Sequence, residues 1–118
     1  MSAIIKRILV GYDDGTPAQK ALAVAAKIAL DNKAELFIAT AVELPVQIAT
    51  YDIYMQGGVS MTEFFYNHAN AYYQKVLEQA ALRAREKGLD VTTKLLEGPP
   101  GKALLKYAEE VGADLIVV

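Results

Sequence analysis

The run Lys6-Arg7-Ile8-Leu9-Val10-Gly11-Tyr12-Asp13-Asp14-Gly15-Thr16-Pro17 constrains this chain more than any other stretch. Ile8, Leu9 and Val10 read as a buried strand. Gly11, Asp13, Asp14 and Gly15 then bring a tight polar bend. Thr16-Pro17 predicts a helix start, with a hydroxyl at the N-cap and proline at the first helical position. Strand, short turn and helix N-terminus make the first half of a βαβ unit. In an open α/β sheet such a turn lies at the carboxyl end of a strand, where small ligands bind.

The rest of the chain repeats that alternation. Pro17 to about Lys33 reads as a helix with Ala21, Leu22, Ala25, Ile28 and Ala29 near one face. Ala34 to Val42 is a nearly continuous apolar strand, the pattern of burial on both faces. Val46 to Val59 has no clear period and reads as a long loop, either a connector or a lid or partner surface. Ser60 and Glu63 form a capping box. A long helix follows to about Lys87, with Phe65, Ala69, Tyr72, Val76 and Ala80 at helical spacing. Asp90 to Leu96 reads as a strand and Glu97 to Gly101 as a turn. Lys102 to Val111 reads as a helix with Leu104, Leu105 and Ala108 inward, and Asp114 to Val118 as a last strand. The order β-α-β-α-β-α-β predicts an α/β fold, an open parallel sheet with helices on both faces.

The 118 residues suit one domain. With no cysteine there is neither a disulfide framework nor thiol chemistry. Net charge is −2 and the cations are scattered, which argues against a nucleic-acid surface. No apolar run approaches the roughly 20 residues that span a bilayer. The first charges follow the first apolar residues, the reverse of a signal peptide, so a cytoplasmic location is expected. Because 1–118 closes on an apolar strand, the natural protein is expected to continue past Val118.

Chemistry-bearing residues are sparse. His68 stands alone on a helix with no second ligand at metal spacing. Tyr66, Tyr72 and Tyr73 read as packing along the long helix. Glu97-Gly98-Pro99-Pro100-Gly101 looks like a phosphate loop, yet its two prolines remove two amide donors, so a rigid turn is the better reading. No Ser-His-Asp set and no carboxylate pair stands out, so the residues point to no enzyme, or at most to a slow one. Asp13 is either a ligand contact or an Asx-type turn residue. Gly11 either admits a ligand closely or is simply small, and Tyr12 either lines the crevice or packs under the first helix.

Several pieces, in order and at these spacings, resemble the universal stress protein family. They are Ile8-Leu9-Val10-Gly11-Tyr12-Asp13, Ala21-Leu22, Ala34-Glu35-Leu36 leading to Ala41-Val42, Glu97-Gly98-x-Pro100, and Ala108-Glu109-x-x-Gly112-Ala113-Asp114-Leu115-Ile116-Val117-Val118. The resemblance implies a single flavodoxin-like domain over 1–118, with strand order 3-2-1-4-5 and its final helix and strand not represented. It implies that ATP or AMP, with Mg²⁺ accompanying ATP, sits at Gly11, Tyr12, Asp13, Thr16, Ala41, Val42 and Val118. Asp13 would meet the nucleoside, and the backbone of Ala41-Val42 the adenine.

Two departures accompany the match. The family often has Gly-Ser after the aspartate, where this chain has Asp14-Gly15, and Thr16 supplies the hydroxyl one residue later. The nucleotide-binding branch also carries G-x2-G-x9-G-S/T after its fourth strand, beyond Val118. Each charge-assisted bond to phosphate is worth roughly 1.5–3 kcal/mol, so three of them exceed a thousandfold in affinity. The function implied is an adenine-nucleotide-binding regulator of a stress response, and a homodimer. The alternatives are a dimeric interaction module of the same family without nucleotide, and, more remotely, a flavin mononucleotide carrier.

Overall fold

A computed structural model describes residues 4–13, 15–55 and 60–118. Its elements are β1 (Arg7–Gly11), α1 (Thr16–Asn32), β2 (Glu35–Val42), α2 (Val46–Tyr54), α3 (Met61–Glu86), β3 (Val91–Glu97), α4 (Pro100–Val111) and β4 (Leu115–Val117). The strands form one parallel sheet in the order β3-β2-β1-β4.

Alternation along the strands divides the core. Ile8 and Val10 of β1, with Leu36 and Ile38 of β2, pack against α1 and α3. Leu9, Phe37 and Ala39 point the other way, to Tyr107 and Ala108 of α4. Both faces are therefore covered, which is why these strands carry apolar residues in unbroken runs. Ile8, Leu9, Leu36, Ile38 and Leu77 are fully buried, each contributing about 1.5–3 kcal/mol by its removal from water. The α1 face is almost all alanine, namely Ala18, Ala21, Ala25, Ala26 and Ala29, so the helix backbone lies close on the sheet. Helix α1 ends at Lys33, which takes the left-handed conformation at φ 55°.

The amino ends of β1 and β4 are clasped by one side chain. Asp114 Oδ2 accepts from the backbone N–H of Lys6 (2.8 Å) and of Arg7 (3.1 Å). These two bonds hold the Asp114 carboxyl below its ordinary pKa. Arg7 and Glu35 also face each other at 3.7 Å, half-exposed, a pairing worth little in water.

Five expectations are corrected. Thr16 is the first helical residue rather than the N-cap: Gly15 holds that place with no side-chain cap, and the Gly15 N–H donates to Asp13 Oδ1. The segment from Val46 is not loop as far as Tyr54 but the helix α2, entered through Pro45; Gly57, Gly58 and Val59 lie outside the described residues, as does Asp14. Helix α4 starts at Pro100, because proline suits a first turn whose N–H would have no partner. Leu105 and Tyr72 are exposed, and Tyr107 and Leu77 take the buried places on their helices. In both cases a wide apolar stripe left the buried centre ambiguous by about one residue. The Ser60 cap holds as read, with the Glu63 N–H donating to Ser60 Oγ at 3.2 Å.

Candidate functional site: the crevice at the ends of β1 and β4

Helix α1 carries the chain from β1 to β2, and α4 carries it from β3 to β4 on the other side of β1. The connections diverge between β1 and β4. At such a switch point no crossover covers the carboxyl ends of the two strands, and a crevice opens. Gly11, Tyr12, Asp13, Ala41 and Val118, expected there from the sequence, line one cavity of about 280 Å³. Thr40 and Tyr73 contribute to its wall, and Pro17, Pro100 and Leu104 close it from α1 and α4.

Tyr12 is fixed at both of its peptide groups. Its N–H donates to the Ala39 carbonyl at 2.8 Å, and its carbonyl accepts from the Thr40 hydroxyl. The chain leaving β1 is thus tied to β2 for one further residue before it bends. The Tyr12 side chain is buried and serves both expected roles, since it belongs to the core beneath α1 and also lines the crevice.

Asp13 follows at the crevice mouth, exposed, with Oδ1 committed to the Gly15 N–H at 2.9 Å. The Asx-type turn and the place beside the crevice therefore coexist. Gly11 is small for a steric reason. A Cβ there would stand 2.8 Å from Leu104 Cδ1 and 3.2 Å from Val118 Cγ1.

Two expected residues fall elsewhere. Thr16 is exposed on the first turn of α1 and does not line the cavity. Val42 lines a second, larger groove of about 460 Å³ beside the first, and its carbonyl accepts from the Gly98 N–H at 2.9 Å. Ala41 and Tyr73 belong to both cavities and form the wall between them.

Thr40, Tyr73 and Leu104 were missed by sequence reasoning. Thr40 had a signal, as a polar residue inside the apolar run Leu36–Val42. Tyr73 and Leu104 had none, because their roles depend on where α3 and α4 cross the sheet.

Among the described residues, the crevice lining holds one carboxylate, Asp13, and no lysine or arginine. His68 shares its Nδ1 with the Phe64 carbonyl at 3.0 Å and stacks on the Phe64 ring. Among the described residues no group of three or more His, Cys, Asp or Glu is placed to hold a metal ion. None of their helices is long and apolar enough to cross a membrane.

A family model described as the universal stress protein family matches residues 5–118. The universal stress protein YxiE of Bacillus subtilis (strain 168) is 30% identical over 119 residues, covering 98% of this chain and 78% of that protein. A crystal structure from the same family in Burkholderia pseudomallei superposes with a TM-score of 0.80 at 24% identity, over 98% of this chain and 82% of that one, and so shows the same fold. A universal stress protein crystallised in complex with cAMP superposes with a TM-score of 0.69 at 27% identity, over 95% of this chain and 70% of that one.

Proposed function

This chain belongs to the universal stress protein family, and from that premise we propose that it is an adenine-nucleotide-binding member acting in the regulation of a stress response. One observation carries the reading. Residues distant in sequence, Asp13, Ala41 and Val118 among them, converge on a single cavity at the switch point of the sheet. The relative complexed with cAMP supports an adenine nucleotide as the ligand class.

The character of the cavity narrows what it would hold. Its volume of about 280 Å³ lies at the lower end for small-molecule sites, about 300–1,000 Å³. It is mostly apolar, offers an acceptor at Asp13 and, among the described residues, has no cation in its lining. Such a site suits a neutral nucleoside, with ribose hydroxyls donating to Asp13 and the base against Ala41. It does not suit a bare polyphosphate, whose charge would stay uncompensated. The proposed contact is therefore with the nucleoside portion of the ligand. The protein is proposed to be cytoplasmic and to work as a homodimer.

A second reading has its own support. Leu104 lies against Gly11 at the floor of the crevice, and Asp13 already has a backbone partner. On that reading the crevice stays empty and the protein is a dimeric interaction module. Isothermal titration calorimetry of the protein with AMP and ATP tests both. Binding that weakens in Asp13→Asn supports the nucleotide reading. An absence of heat at millimolar nucleotide removes it and leaves the module.

A further inference from the structure

We propose that the groove between α1 and α3 is a second ligand site, which takes a small organic acid: a carboxylate carried on a short apolar or aryl body. The inference does not rest on the nucleotide reading.

The groove follows from side-chain size. Helices α1 and α3 pack on the same face of the sheet. Neighbouring helices sit about 8–10 Å apart, a distance set by the side chains between them. Here Ala23 and Ala26 of α1 line one side and Ala84 of α3 the other, and their methyl groups are too short to fill the gap. A cavity of about 240 Å³ is left. Among the described residues Tyr12 alone lines both this groove and the crevice, so the two sites are separate and share one wall.

Gln19, Leu22, Ala23 and Ala26 recur at the spacing of a single helix face. From Gln19 to Ala26 the floor runs about 10 Å along the axis, the length of an acid of roughly six to eight carbons. Leu22, Ala26, Ala84 and Tyr12 are buried and give that floor its apolar base. An apolar body laid on it gains affinity from the area it removes from water.

The charge of the groove selects the head group. Arg83 and Lys87 enter the lining one turn apart on α3, and among the described residues no carboxylate joins them there. Nor, among those residues, does either have a carboxylate at ion-pair distance. The helix dipole favours cations in a last turn. That accounts for Arg85, which turns away and donates to the Val91 carbonyl at 3.0 Å. It does not account for two cations four residues apart beside one groove, where like charges repel. An anion between them removes that repulsion. The Arg83 guanidinium offers a planar fork that matches a carboxylate, and the Lys87 ammonium adds a point charge. A phosphate is served less well. The lining residues of α1 and α3 lie within a helix or at its carboxyl end, where the N–H groups are already bonded, so they form no nest of amides.

Amide chemical shifts of the full chain, followed while benzoate or hexanoate is added without nucleotide, test this. Saturable shifts are expected at Gln19, Ala23, Ala26 and Ala84. Acetate, which has the head without the body, should bind about tenfold or more weakly. Arg83→Gln with Lys87→Gln should weaken benzoate about tenfold or more. Lys20→Gln with Lys75→Gln removes the same charge from exposed positions outside the groove and should leave binding unchanged. Ala23→Leu, at an exposed position, should fill the groove and block binding. Shifts that never saturate overturn the proposal, as do shifts centred on Asp13 and Ala41 instead. Equal binding of acetate and benzoate overturns it too, since that marks an adventitious ion only, and so does indifference to the Arg83 and Lys87 substitutions. With nucleotide absent throughout, failure here leaves the reading of the crevice standing, and failure there leaves this one.

Discussion

The Thr40 hydroxyl donates to the backbone carbonyl of Tyr12, across 28 residues of sequence. Thr40 is 3% exposed, as is Tyr12, so water cannot replace the bond. With the Tyr12 N–H held by Ala39, β2 fixes the direction in which the chain leaves β1. Thr40→Val keeps the shape and removes the donor. It should lower stability by about 1–3 kcal/mol, the cost of a buried acceptor left without its partner. Urea denaturation should show a lower midpoint with unchanged slope, and Thr40→Ser should recover most of the loss.

Gly11 and Leu104 are predicted to be coupled. A Cβ on Gly11 meets the flexible end of Leu104 at 2.8 Å. Gly11→Ala should therefore cost less than about 1 kcal/mol, whereas Gly11→Val should cost about 1–3 kcal/mol by overpacking. Leu104→Ala in the same chain should relieve part of the Gly11→Val penalty. A double-mutant cycle on thermal or urea stability measures that interaction, and strict additivity would contradict it.

The two roles of Asp13 separate by substitution. Asparagine keeps an oxygen for the Gly15 N–H and loses the charge, while alanine loses both. Asp13→Asn should stay within about 0.5 kcal/mol of the parent and Asp13→Ala should lose about 0.5–1.5 kcal/mol, the net worth of a single hydrogen bond. If Asp13 meets ribose, both variants should weaken nucleotide binding about tenfold or more in calorimetry.

Acid should loosen the contact between α2 and α3 before the sheet core. Asp52 of α2 accepts from the backbone N–H groups of Thr62 and Met61 at the start of α3, each at 2.8 Å. Hydrogen bonds from Thr62 and Met61 hold the Asp52 carboxyl below its ordinary 3.8, at about 2. A carboxylate with a depressed native pKa stabilises the fold above its unfolded value and loses that contribution as pH falls through the native one. The link made by Asp52 is therefore intact at neutral pH and fades between about pH 4 and pH 2. Amide exchange in α2 should be faster in Asp52→Ala than in the parent at pH 6, with the difference closing near pH 2. Asp114, lowered by its bonds from Lys6 and Arg7, should act in the same direction at the β1–β4 edge.

Local chemistry made much of this legible in advance. The apolar runs at Ile8–Val10 and Leu36–Val42 suggested strands covered on both sides, and the sheet bears that out. The Ser60–Glu63 box placed the start of α3, and Gly112 the end of α4 at φ 69°. Failures came where one residue of phase mattered. Thr16 and Gly15 compete for the same cap, and Asp13 decides between them by taking the Gly15 N–H. Val46–Tyr54 lacks an apolar face because none of it is buried, so the periodicity that reveals a helix was never imposed on it.

The amino-acid order alone determined the alternation of strand and helix, the doubly covered sheet and the polar bend after β1. Each follows from neighbours within a few residues, through side-chain period, turn chemistry and capping. Only the tertiary structure decided that Tyr73 and Leu104 would wall the crevice, that Val42 would turn to the neighbouring groove, and that Asp52 would staple one helix to the next. Those outcomes depend on the directions in which helices cross the sheet. Crossing is set by packing between segments far apart in the chain, which no local pattern records.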